Sequence, residues 1–74
     1  MPEYLVRYQG IAHDHYAGFS YDVDEVRIIE TENANKAYES AKQNLKTLEE
    51  KLHMPEIKIT RLAEVGEEIN FYDR

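Results

Sequence analysis

The chain has 74 residues, enough for one domain, and its apolar share of 42% is just sufficient to build one hydrophobic core. It contains no cysteine, which excludes disulfide bonds and thiolate metal sites. Fifteen acidic and nine basic residues give a formal net charge of −6, which disfavours direct binding to nucleic acid and favours a basic partner.

The first predicted element is a strand over residues 4–9, because Tyr4, Val6 and Tyr8 occupy every second position. Residues 10–18 follow with two glycines, two histidines and an aspartate, a composition typical of a loop. We therefore expect a mobile connection that is longer than the commonest hairpin loops.

A second strand is predicted from residue 19, where the apolar side chains first fall on odd positions up to Val23. They then move to even positions at Val26 and Ile28. A change of phase by one residue predicts a β-bulge near Asp24 and Glu25, and hence a bent strand.

A helix is predicted next, with Asn33 as its N-cap and Thr31 as the alternative cap. Apolar residues at spacings of three and four form one stripe that should face a sheet: Ala37, Tyr38, Ala41, Leu45, Leu48 and Leu52. Pro55 cannot continue the helix, so we expect the helix to end near residues 53–54.

A third strand is predicted from the alternation of Ile57, Ile59, Ala63 and Val65, with a break in phase at residues 61–62. Residues 67–72 fit a short fourth strand, a cover for a sheet edge or a docking tail. The strand-strand-helix-strand order predicts a single α+β domain over residues 1–74. Its mainly antiparallel sheet has three or four strands in the order 2-1-3, with one helix on one face.

Catalytic and metal chemistry have little support in the sequence. His13, Asp14 and His15 could contribute to a zinc or nickel site, but His53 is expected at the far end of the helix, so we expect solvated histidines instead. Ser20 lies in no nucleophile-elbow motif, and no phosphate-binding glycine motif occurs. We therefore expect neither an enzyme nor a bound cofactor.

Charge is distributed unevenly along the chain. Residues 1–32 carry seven acidic and two basic residues, a net charge of −5, whereas residues 33–55 carry a net charge of +1. The acids could form a line along the bent hairpin, with tyrosines of the kind enriched in interfaces beside them. The expected partner-binding residues are Asp14, Tyr16, Tyr21, Asp22, Asp24, Glu25, Glu30 and Glu32.

One segment supports a resemblance to known proteins. Residues 26–30, followed by Asn33, Ala37-Tyr38 and Ala41, resemble the strand-to-helix unit of many small domains from phages and other mobile elements. Several such acidic proteins inhibit host defence nucleases, including anti-CRISPR proteins that occupy a nucleic-acid channel. The resemblance thus implies an inhibitor, and it assigns no role to any residue of this chain.

Three functions follow as hypotheses. The first is a non-enzymatic protein-binding module, in its sharpest form an acidic nucleic-acid mimic that inhibits a basic nucleic-acid-binding enzyme. The second is a self-associating module, a homodimer paired through a strand edge or through residues 69–72. The third and most remote is a histidine-based metal protein. No apolar run is long enough to span a membrane and no secretion signal begins the chain, so we expect a cytoplasmic protein without membrane contact.

Overall fold

The computed structural model describes residues 1–66. In chain order the elements are β1 (Glu3–His13), β2 (Ser20–Glu30), α1 (Ala34–Glu50) and β3 (His53–Val65). The strands form one sheet in the order β2-β1-β3, in which β1 is antiparallel to both neighbours. This confirms the predicted α+β fold, ββαβ with an open sheet. The alternatives proposed for residues 67–72 fall outside the described residues.

The hydrophobic core lies between α1 and the helix side of β1 and β3, and the buried Ile57 on β3 belongs to it. On β1 every second side chain is buried, namely Tyr4, Val6, Tyr8 and Ala12. The side chains of α1 that face them most closely are two fully buried alanines, whose small size lets the helix approach the sheet. Larger side chains surround this centre and are partly buried: Val23, Ile29, Leu45, Leu48, Leu52, Ile59 and Leu62.

The helix begins as predicted at Asn33. Its side-chain Oδ1 accepts a hydrogen bond of 2.9 Å from the backbone N–H of Lys36, which satisfies one of the free donors of the first turn. Tyr38 does not join the buried stripe, since it is 47% exposed and lies beneath the ammonium group of Lys42. No helix in residues 1–66 combines the length and the apolar character that a membrane crossing requires.

The predicted loop over residues 10–18 is wrong in its first part, because β1 continues through Gly10 to His13. The turn occupies only residues 14–19, where the Asp14 carboxylate accepts hydrogen bonds from the backbone amides of Tyr16 and Ala17. Gly18 completes the turn at φ 73°, a conformation that glycine adopts without strain. An aspartate whose side chain accepts from backbone amides two and three residues later favours a turn at this position.

The predicted bulge in the second strand is also wrong. From Ser20 to Glu30, β2 pairs with β1 without any shift of register. The apolar side chains of Val26 and Ile28 therefore point away from α1, while Glu25 and Arg27 lie on the helix side. The helix side of β2 tolerates these charges because α1 packs mainly against β3.

The irregular pairing lies between β1 and β3 instead. The register shifts between Arg7 and Tyr8, which leaves Thr60 as the extra residue on β3, and shifts again between Ile11 and His13. The first shift coincides with the break in phase near residues 61–62. β3 also begins earlier than predicted, at His53, so Pro55 lies within the strand and not before it.

Candidate functional site

The sheet has one face that α1 does not cover, here called the open face. Side chains alternate between the faces of a strand, so the positions between the buried residues of β1 and their partners in register point to this side. They are Glu3, Leu5, Arg7, Gln9 and Ile11 on β1, Asp22, Asp24, Val26, Ile28 and Glu30 on β2, and Glu56, Lys58, Thr60, Arg61, Ala63 and Val65 on β3.

One end of the open face is apolar. Leu5 lies opposite Ile28 on β2 and opposite Ala63 on β3, and Val26 is the next open-face residue on β2. These four residues form what we call the apolar patch. Val26 is 52% exposed and Ile28 is 51% exposed. Because neither is buried by α1, both retain apolar area that a partner could remove from water.

Two carboxylates border the apolar patch. Glu3 on β1 lies directly opposite Glu30 on β2, so two like charges face each other across neighbouring strands. Neither forms an ion pair with any cation in residues 1–66. Like charges in directly opposed positions destabilise a sheet. A cation brought by another molecule would relieve this repulsion.

The middle of the open face holds an ion pair with two hydrogen bonds. Arg7 donates from Nε to Asp24 Oδ1 at 2.9 Å and from Nη2 to Asp24 Oδ2 at 2.6 Å. These hydrogen bonds lower the pKa of Asp24 and raise the pKa of Arg7 from their ordinary values. The negative charge of Asp24 is therefore already matched by a cation of the same chain.

The structure places the eight expected partner-binding residues in different surroundings. Asp14 and Tyr16 lie in the turn, where the Asp14 carboxylate is occupied by backbone amides and Tyr16 is 96% exposed. Asp22, Asp24 and Glu30 point to the open face. These two groups lie at the turn and along β2, and they form no single patch.

The other three expected residues lie away from the open face. Tyr21 and Glu25 are on the helix side of β2, where Glu25 pairs with Arg27 at 3.1 Å. Glu32 follows β2 and pairs with Lys36 on α1 at 2.9 Å. The eight residues thus occupy both faces of the sheet, the turn and the start of the helix.

Three histidines meet at the end of the sheet near the turn. His53 lies opposite His13 in register, and its ring centroid is 4.7 Å from that of His15. The expectation that His53 lies far from the other two is wrong, because β3 begins at His53 and pairs along β1 as far as His13. The described residues nevertheless contain no group of three or more His, Asp or Glu side chains that could hold a metal ion.

Ser20 also belongs to this end of the sheet. Its hydroxyl lies 2.7 Å from Nδ1 of His13, and the two residues are opposite each other in register. A hydroxyl beside an imidazole is only one component of a catalytic site, which also needs a group that orients the base and donors for the oxyanion. The contact is accounted for as a cross-strand hydrogen bond that closes the hairpin.

Sequence reasoning missed the residues that make the open face distinctive, namely Glu3, Leu5, Val26 and Ile28. The signal was present in the change of phase along residues 19–28, which reflects apolar side chains on both faces of a regular strand.

Comparison of the chain with protein-family models, with curated proteins and with solved structures found no match.

Proposed function

We propose that the protein is a non-enzymatic binding module whose open face docks on a basic protein. The observation that carries the proposal is that two half-exposed apolar residues, Val26 and Ile28, lie on the same face as the opposed carboxylates of Glu3 and Glu30. An apolar centre with charged groups at its rim is the usual composition of a protein interface. The fitting partner presents apolar side chains next to lysine or arginine.

Apolar burial and charge complementarity both contribute to the proposed contact. Burial of Val26 and Ile28 removes apolar surface from water at about 25 cal/mol per Å², which supplies affinity. A cation placed between Glu3 and Glu30 relieves their repulsion, which supplies specificity for a basic surface and speeds encounter at low salt. The net charge of −6 acts in the same direction.

The narrower form of this proposal is a nucleic-acid mimic that inhibits a nucleic-acid-binding enzyme. It has less support, because a continuous row of free acids is interrupted where Asp24, Glu25 and Glu32 pair with cations of the same chain. A nucleic-acid-binding protein still fits as a partner, since its surface is basic. The contact would use the rim of the apolar patch, with no imitation of a phosphate backbone.

The test is capture of partners from a lysate of the organism that encodes the chain, with immobilised wild-type protein and two open-face variants. One variant carries Val26→Ser and Ile28→Ser, and the other carries Glu3→Gln and Glu30→Gln. A matched control carries Glu39→Gln and Glu50→Gln, which remove two exposed carboxylates from α1. Circular dichroism verifies that each variant keeps its fold.

The proposal expects a basic protein that wild type and control retain and that both open-face variants lose, with purified affinity at least about tenfold weaker. Affinity should also fall as salt rises. A captured protein that binds the serine variant as tightly as wild type would show that the open face is not its docking site.

A further inference from the structure

β2 is an edge strand, and no other strand of residues 1–66 pairs with its outer side. A sheet in the order β2-β1-β3 has two edge strands, each with backbone N–H and C=O groups on its outer side. Natural proteins protect such edges with proline, lysine or bulges, because an unprotected edge pairs readily with another strand. The two edges of this sheet differ in how regular their backbone is.

β3 carries several of these protective features. Pro55 has no N–H to donate to another strand, and the register shift at Thr60 interrupts the regular spacing of the edge. Lys58 and Arg61 add positive charges along the same strand. An approaching strand would therefore find irregular geometry and charge on this side of the sheet.

β2 is charged as well, with four acidic residues and Arg27, but its geometry is regular. Its eleven residues pair with β1 in an unbroken register and include no proline, glycine, lysine or bulge. They are rich in residues that favour strands, such as Tyr21, Val23 and Ile29. Within residues 1–66 no strand pairs with the outer side of β2, and α1 packs mainly against β3 at the other edge.

We propose that two copies of the chain pair antiparallel through β2, about a twofold axis at Val26, to form a continuous sheet of six strands. The proposal is independent of the basic partner proposed above. In this register Glu25 lies opposite Arg27 of the second copy, and Arg27 lies opposite Glu25 of the second copy. Val23 lies opposite Ile29 of the second copy, which matches two apolar residues, whereas Asp24 lies opposite Ile28 of the second copy and is unmatched.

Neighbouring registers do not match. A twofold axis at Glu25 sets that carboxylate against its own counterpart, and an axis at Arg27 sets two guanidinium groups against each other. Like charges in directly opposed positions are unfavourable, whereas opposite charges stabilise the pair. An axis at Asp24 fails for the same reason. The register at Val26 has its own like-charge contact, Asp22 against Glu30 of the second copy, but only at its outer ends.

A carboxylate oxygen on β2 supports the same register. Glu25 Oε2 is shielded from solvent and has no hydrogen-bond partner in the described residues, although Arg27 Nη2 lies 3.1 Å away. The ion pair within the chain balances the charge of this oxygen but leaves it without a hydrogen bond, which is unfavourable for a shielded atom. Arg27 of the second copy would approach from the outer side of the edge and supply that donor. Each Glu25 would then contact Arg27 of its own chain and Arg27 of the second copy.

A charge-swap experiment tests the proposal, with association measured by sedimentation equilibrium over a concentration series. Glu25→Arg and Arg27→Glu each place like charges opposite each other, so each variant alone should dimerise at least about tenfold more weakly than wild type. An equimolar mixture of the two should form a heterodimer, because positions 25 and 27 then oppose residues of opposite charge. The double variant Glu25→Arg/Arg27→Glu should recover self-association.

Matched controls and one gain-of-affinity variant sharpen the test. Glu64→Arg and Arg61→Glu make the same charge changes on β3 and should leave dimerisation unchanged. Asp22→Lys should tighten the dimer, because it replaces the like-charge contact with Glu30 of the second copy by an ion pair. These variants separate register-specific contacts from the general effect of net charge.

Three results would overturn the proposal. The first is a wild-type chain that stays monomeric at about 1 mM, where even a millimolar Kd populates a dimer. The second is an equimolar mixture of Glu25→Arg and Arg27→Glu that associates no better than either variant alone. The third is hydrogen exchange in a monomer that shows the outward amides of β2 protected at every concentration, since another part of the chain would then cover this edge.

Discussion

The hydroxyl group of Tyr8, in the middle of β1, donates a hydrogen bond of 3.0 Å to the carbonyl oxygen of Ala41 in α1. Both residues are fully buried, so this bond joins the centre of the sheet to the middle of the helix inside the core. The small side chains of Ala37 and Ala41 allow the close approach that the bond requires. The helix that shields one face of the sheet is thus fixed in place by a polar contact as well as by apolar packing.

Loss of this hydrogen bond should destabilise the fold. We expect Tyr8→Phe to lower the free energy of unfolding by about 1 kcal/mol, the usual net value of one buried hydrogen bond. Urea denaturation provides the measurement. Tyr38→Phe serves as control, because Tyr38 is 47% exposed and its hydroxyl can be hydrated. Equal losses in the two variants would mean that the bond to Ala41 contributes nothing.

The same tyrosine should make the fold sensitive to alkaline pH. Burial raises the pKa of Tyr8 above its ordinary value, so the folded state favours the protonated phenol. Its contribution to stability is complete below the unfolded pKa of about 10 and is lost as pH rises through the higher folded pKa. Above about pH 10, wild type should therefore lose more stability with rising pH than Tyr8→Phe. Parallel pH profiles of the two proteins would contradict this.

The fold was predictable where one periodicity dominated. Alternation at Tyr4, Val6 and Tyr8 marked the central strand, and the Asn33 cap marked the start of the helix. The extent of β1 was not predictable, because Gly10 resembles a loop residue in sequence. Its reason for being glycine is the close passage of β3, a contact between residues that are distant in the chain.

The candidate site was harder to predict than the fold. A phase change at residues 24–26 has two physical causes, a bulge or a regular strand with apolar residues on both faces, and periodicity does not distinguish them. The position of α1 near β3 decides the matter, since it leaves Glu25 and Arg27 in partly solvated surroundings. Which acids pair with cations likewise depends on register, which Arg7 and Asp24 illustrate.

The helix cap should have a measurable effect on stability. We expect Asn33→Ala to destabilise the protein by about 1 kcal/mol, because the backbone N–H of Lys36 loses its acceptor. Asn35→Ala is the matched control, since Asn35 is exposed within the first turn of α1 and alanine has the higher helix propensity. Thermal unfolding compares the two. A control that loses as much stability as Asn33→Ala would argue against a capping role.

The ion pair on the open face should be visible in a titration of Asp24. The hydrogen bonds from Arg7 lower the pKa of this carboxyl, so the pair stabilises the fold above the unfolded pKa of about 3.9. That contribution is lost as pH falls through the lower folded pKa. Carboxyl NMR should place the midpoint of Asp24 below its ordinary value in wild type and closer to that value in Arg7→Gln. An unchanged midpoint in the variant would rule out the pair in solution.

Gly10 should be the glycine least tolerant of substitution among residues 1–66. A β-carbon at this position would lie 2.6 Å from Cα of Ile57 and would also overlap the backbone of Glu56. Because these are backbone atoms of β3, the strand itself would have to move. We therefore expect Gly10→Ala to destabilise the protein by about 2 kcal/mol or more through displacement of β3. In Gly66→Ala the new methyl group meets no atom of the described residues within 4 Å, so stability should be nearly unchanged. Denaturant unfolding compares the two variants, and a Gly10→Ala protein as stable as the control would show that β3 does not pass this close to β1.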